Sequence, residues 1–186
     1  LCFNVSTAHA IARAVVHGEV LVSRITTITG SALVNPGNYC VLLGTPIHEL
    51  LQHAAVDQTK VSSLIHGGSL TGIPLTSNNV PVLATSACVI ASTAAEIPAA
   101  KPEQNCIRCG FCTEVCPVLL LPQQLYWASK SEQLQQATAL NLHDCIECGA
   151  CSYVCPSHIP LVQYFRATKA DIRIAEEKLL MANQSR

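Results

Sequence analysis

Charge is in short supply in this 186-residue chain. Asp, Glu, Lys and Arg make up 12% of it, against roughly 25% for an ordinary soluble chain. The shortage is concentrated: residues 1–100 hold seven charges (Arg13, Glu19, Arg24, Glu49, Asp57, Lys60 and Glu96), and the other sixteen lie beyond. An apolar first half with so little charge to cover it is expected to meet another domain or subunit; a well-packed module rich in Ser and Thr is the plainer alternative. The net charge is −1 and there is no Lys/Arg-rich run, which excludes a nucleic-acid partner. A membrane span is also excluded: the most apolar stretch, VPVLATSACVIASTAA (80–95), is short and interrupted by Pro81, Thr85, Ser86, Ser92 and Thr93. G-x-G-x-x-G and Walker loops are missing, and HGGSLTG (66–72) reads as a tight turn rather than a phosphate cradle. No Ser/His/Asp arrangement exists, and His48 and His53 share a short helix without a carboxylate pair. The only methionine is Met181, and the opening residues read as continuing structure without a secretory pattern. A piece of a longer or processed protein is therefore expected.

Cysteine is the exception to this scarcity. There are eleven, an odd number that, without a secretory signal, argues against a disulfide framework. Cys2, Cys40 and Cys88 stand alone among apolar neighbours and read as small buried hydrophobes. The other eight form two runs, CIRCGFCTEVCP from Cys106 and CIECGACSYVCP from Cys145, offset by 39 residues. Two copies are too few to stack as a solenoid, so this is a duplicated site. The spacing C-x2-C-x2-C-x3-C-P is that of ferredoxin runs that hold [4Fe–4S] clusters. Three cysteines at intervals of three wrap one face of a cubane; the fourth follows too closely to reach the remaining iron and serves the other cluster. The expected ligand sets are therefore crossed: Cys106, Cys109, Cys112 and Cys155 on one cluster, Cys145, Cys148, Cys151 and Cys116 on the other. Pro117 and Pro156 turn the chain where each run ends. A zinc site would want two separated C-x2-C pairs and would leave thiols spare. His143 and His158 lie near the runs but read as exposed or capping histidines.

Around these runs the pattern is α+β, then all-α. STAHAIARAVVHG reads as a helix capped by Ser6 or Thr7, striped by Ile11, Ala12, Val15 and Val16, and ended by Gly18. RITTITG and YCVLL read as strands on either side of a Pro36-Gly37 turn. GTPIHELLQHA reads as a helix with Thr45 at the cap, Pro46 in its first position, and Ile47, Leu50 and Leu51 on one face. VSSLI and ACVIAS are further strands. Residues 93–104, TAAEIPAAKPEQ, have no apolar period and read as a linker. Beyond them, Leu125, Tyr126, Ala128, Leu134 and Ala137 fall at helical spacing, in two short helices, and Pro160 opens a longer one.

With both runs and their connection in view, CIRCGFCTEVCPVLLLPQQLYW and DCIECGACSYVCPSHIPLVQYFR resemble the RnfC/RsxC family, the C subunit of the bacterial Rnf (Rsx) electron-transport complex. RITTITGSALVNPGNYCVLLGTPIHELL is similar to that subunit's β-grasp ligand-binding (SLBB) module, and NVSTAHAIARAVVHGE to the end of its nucleotide-binding domain. The resemblance implies the end of a flavin- and nucleotide-binding domain at 1–22, an SLBB-like β-grasp module at 23–92, a linker at 93–104, and a helical ferredoxin-like domain with two [4Fe–4S] clusters at 105–186. It implies a peripheral subunit at the cytoplasmic face of the bacterial inner membrane, touching the membrane only through other Rnf subunits. Single electrons would pass through the clusters between a flavin/NADH site and a ferredoxin-type redox partner. FMN and NADH belong to the preceding domain, so this chain alone is expected to bind neither and to catalyse nothing. Two other readings stay open: the electron-transfer subunit of a corrin or other reductase, and a binding or scaffold module with structural clusters.

Overall fold

A computed structural model describes residues 2–97 and 101–184. The chain divides into two compact units, Leu1–Ala99 and Ala100–Arg186.

The first unit opens with helix α1 (Val5–His17). Its cap is Asn4 rather than Ser6 or Thr7: the Asn4 side chain accepts the Ser6 N–H at 2.9 Å, which places Ser6 and Thr7 inside the helix. Gly18, at φ 68°, ends it as the spacing predicts. None of its residues is buried. The stripe read from the sequence is bare, with Val15 79% exposed, so this half displays apolar surface as its low charge leads one to expect.

A five-stranded sheet follows, in the order β2-β1-β5-β3-β4. Strand β1 (Ser23–Thr29) pairs antiparallel with β2 (Gly37–Leu42), from Ser23 opposite Leu42 to Ile28 opposite Gly37. On its other side β1 runs parallel to β5 (Cys88–Ser92), with Ile28 opposite Val89. Strand β3 (Ser63–His66) pairs antiparallel with β5. The two-residue β4 (Ile73–Pro74) closes the far edge; it is too short to leave a sequence pattern. The loop between β3 and β4 is the expected tight turn: Gly72 N–H bonds the Gly68 carbonyl at 2.7 Å, and Gly67 N–H bonds that of Cys88 at 2.8 Å. Those amides are therefore spent on the backbone.

Helix α2 (Ile47–His53) lays Ile47, Leu50 and Leu51 into the core with Ile28, Val41, Val82, Val89 and Ala91. Pro46 sits just before this helix, not inside it, in extended conformation. No side chain caps the helix; instead Ile47 and His48 donate their N–H groups to the carbonyls of Val80 and Asn78, at 2.9 and 3.0 Å. A loop thus supplies what Thr45 was expected to give. Of the solitary cysteines, Cys2 and Cys40 are exposed and Cys88 half-buried, against the expectation of burial. Cys40 lies on edge strand β2, where Tyr39 and Val41 pack against the core and Cys40 between them faces the other way.

The second unit is helical: α3 (Phe111–Glu114), α4 (Pro122–Lys130), α5 (Leu134–Ala139), α6 (Ala150–Tyr153) and α7 (Leu161–Gln184), with a 3-10 turn at Leu142–Asp144. Leu125, Tyr126, Ala128 and Ala137 are buried with Leu142, Phe165 and Ile172, and Leu134 packs against them, as the helical spacing predicts. Pro160 immediately precedes α7.

The residues read as a linker are partly tied down. Ser31 Oγ and N–H both bond the Glu96 carboxylate, the N–H at 2.9 Å. Glu103 accepts the Tyr126 hydroxyl at 2.8 Å, the Lys130 ammonium at 2.9 Å and the Tyr164 hydroxyl at 2.9 Å. Residues 98–100 lie outside the described residues. Because Glu103 holds α4 and α7 together, Glu103→Ala is expected to cost the helical unit about 1–3 kcal/mol in urea denaturation; unchanged stability would show the three bonds to be incidental.

Candidate metal centre

The two cysteine runs fold alike. Arg108 and Glu147, each two residues after the first cysteine, both have φ 56°, and Gly110 and Gly149 both have φ 84°. Positive φ is where glycine costs least, so the shared C-x-x-C-G places a glycine where each loop turns into its short helix, α3 or α6. Each run ends on a hydrogen-bonded turn. The Leu119 N–H returns to the Cys116 carbonyl and the His158 N–H to that of Cys155, both at 3.1 Å, with Pro117 and Pro156 second in the turn.

Between the runs lie two hollows. The first, about 390 Å³, is lined by Cys106, Cys109, Cys112 and Cys155, with Tyr126, Ile159 and Leu161 among its other walls. The second, about 340 Å³, is lined by Cys116, Cys145, Cys148 and Cys151, with Leu125, Val162 and Phe165 behind them. Each hollow therefore takes three thiols from one run and the fourth from the other. Among the described residues, no three His, Cys, Asp or Glu side chains converge as ligands of a single ion. His143 and His158 are exposed.

The thiols are unequally buried. Cys109 is exposed, whereas Cys151 is buried in the core. Burial, then the neighbouring Cys145, pushes the Cys151 thiol up to about 12; burial likewise raises Cys112 and Cys145. A thiolate at such positions is costly without a cation beside it. Four thiols around an otherwise largely apolar hollow fit a [4Fe–4S] cluster, whose irons take one thiolate each and offset that cost. The Leu120 N–H reaches the Cys116 sulfur at 3.4 Å, a bond that steadies a sulfur of this kind.

Sequence reasoning missed the charged groups beside the second hollow. Glu147, one of its lining residues, accepts Arg166 Nε at 2.9 Å and Lys169 Nζ at 3.0 Å, and Lys169 Nζ also donates to the Cys145 carbonyl at 2.6 Å. Partial burial pushes the Glu147 carboxyl up, but the bonds from Lys169 and Arg166 outweigh it and hold it below the ordinary range. Aligning the runs exposes the signal: Arg108 and Glu147 occupy equivalent positions with opposite charge. Arg166 and Lys169, three residues apart on α7, supply the matching cations.

The family described as "4Fe-4S dicluster domain" matches residues 103–159. Over all 186 residues the chain is 52% identical to a Pseudomonas aeruginosa protein named as the C subunit of the ion-translocating oxidoreductase complex, covering 24% of that protein. Proteins of the same name from Cronobacter sakazakii and Yersinia enterocolitica are 53% identical over 176 residues (94% of the chain, 23% of the relative) and 49% identical over 183 residues (98% and 26%). The chain spans about a quarter of the length of these relatives.

Proposed function

We propose that this chain, which belongs to the family of the ion-translocating oxidoreductase complex's C subunit, relays single electrons through two [4Fe–4S] clusters held by its helical unit. The observation that carries the reading is the sorting of eight thiols into two hollows, four and four. Cys106, Cys109, Cys112 and Cys155 would hold one cluster, and Cys145, Cys148, Cys151 and Cys116 the other. When bound, such a cluster takes up and returns one electron at a time. The chain's own residues fix the thiols on rigid turns and wall the second site with Leu125, Val162 and Phe165. The first site keeps one exposed thiol, Cys109. Sharing cysteines between runs holds the two sites side by side, so an electron needs no mobile carrier between them.

The sheet order, with β1 and β5 parallel at the centre and α2 following the first hairpin, supports an SLBB-like β-grasp reading of residues 23–92. The proposed setting is the cytoplasmic face of the bacterial inner membrane. There the other subunits of the complex would cover the bare apolar surface, and a ferredoxin-type protein would exchange electrons with the assembly. FMN and NADH would bind elsewhere in the whole subunit, outside residues 23–186. Among the described residues no helix is long and apolar enough to cross a membrane.

The test is the metal content and redox behaviour of the subunit purified without oxygen. The expected result is about eight irons and eight sulfides from these runs, reducible in one-electron steps. Zinc in their place, or clusters inert to reduction, would overturn the relay.

A further inference from the structure

We infer that Lys169, acting with Glu147 and Arg166, sets the reduction potential of the second site apart from that of the first. The inference rests on the proposed pair of clusters. Its ground is the reversal of charge, Arg108 against Glu147, at one of the four positions where the duplicated runs differ. In the first run, Arg108 stands exposed, and among the described residues its side chain has no ion pair or hydrogen bond. In the second, Glu147 takes the same backbone conformation but is clamped by two cations from α7. Lys169 goes further, since its ammonium donates to the carbonyl of Cys145, a residue lining the second hollow, at 2.6 Å.

These groups are partly withdrawn from water. The side chains of Lys169, Arg166 and Glu147 are 21%, 30% and 31% exposed, so solvent screens them less than it screens a surface ion. Together they carry one net positive charge. Beside the first hollow, Lys130 and Glu103 cancel each other around Tyr126, and the one charged residue among its lining, Arg108, is exposed to solvent. A cluster gains a negative charge on reduction, and a cation held against the backbone of a ligand residue favours the reduced form. Lys169 is thus a positioning residue that raises the second potential, and Glu147 moderates it.

The two residues make opposite predictions, which a merely structural role would not. In the whole subunit, reconstituted with iron and sulfide without oxygen, a redox titration followed by EPR separates the two centres. Lys169→Met is expected to lower one midpoint and leave the other in place. Glu147→Gln is expected to raise that same midpoint, and Lys169→Arg, which keeps the charge, to restore it nearly to the unaltered value. Midpoints that stay put, or that move in the same direction in both variants, overturn the inference. If Lys169→Met sheds iron from the second site, Glu147→Gln decides alone: a rise supports the role and no rise refutes it. Fewer than two reducible centres in the unaltered subunit overturns the electron relay and this inference with it. Two centres with unmoved midpoints overturn this inference only.

Discussion

Cys116→Ser is expected to damage the centre built by the other run and spare the centre of its own. Cys116 follows Cys112 by four residues, so their Cα atoms are at most about 14 Å apart along the chain. Yet Cys116 lines the second hollow with Cys145, Cys148 and Cys151, while Cys112 lines the first. Helix α3 ends between the two, and Cys116 opens the turn through Pro117: Leu119 N–H returns to the Cys116 carbonyl and the next amide, of Leu120, reaches its sulfur. With serine there, iron in the subunit prepared without oxygen should fall from about eight toward about four per chain, or one EPR signal should change while the other persists. Cys155→Ser should do the converse. An altered signal from the centre held by Cys106, Cys109 and Cys112 in the Cys116 variant would refute the crossed assignment.

Phe165→Ala should have the largest effect on stability. The ring is 1% exposed and packs where α7 meets the core of the helical unit, forming part of the wall of the second hollow. Removing a buried Phe ring costs about 3–5 kcal/mol, through lost burial and the cavity left behind. The cavity here would join a hollow lined by four thiols, so water would gain a path to them. Urea denaturation of the subunit kept without oxygen should show the loss, and the second centre should bleach sooner in air than the first. A cost below about 1 kcal/mol would mean that the neighbours close over the gap.

What the sequence made legible was governed by short-range chemistry. Eight cysteines at set intervals announce their purpose because a cubane dictates spacing along the chain. Ile47, Leu50 and Leu51, or Leu125 and Ala128, announce a face because a helix repeats every 3.6 residues. The features that stayed hidden depend on what the chain meets after folding. The start of α2 is capped by carbonyls thirty residues or so downstream. Strand β4 exists only as a partner for β3. Cys40 is bare because it falls on the open face of the sheet, opposite the 61% exposed Ile25 and alternating with the buried Val41, which its apolar flanks do not reveal. Glu103 looks like one more polar residue in a linker until Tyr126 and Tyr164 close on it. The clamp on Glu147 was half visible, since the charge reversal against Arg108 could be read by aligning the runs. Its cations, on α7, could not.

The way each hollow borrows a wall has a consequence for how the protein is made. A ribosome adds about 5–20 residues per second, so Cys106, Cys109 and Cys112 wait on the order of two to nine seconds for Cys155 to be synthesised. The second hollow has its borrowed thiol early but must wait for Cys151. During that interval the nascent chain offers Cys106, Cys109, Cys112 and Cys116 without the thiols of the second run, a set suited to scavenging stray metal. Ser157 then pairs with both Gln104 and Asn105, joining the end of the second run to the approach to the first. With the crossed ligand sets proposed above, the second site would have its four thiols once Cys151 is made and the first only at Cys155, so a message cut short between them would yield a chain whose first site lacks its fourth thiol.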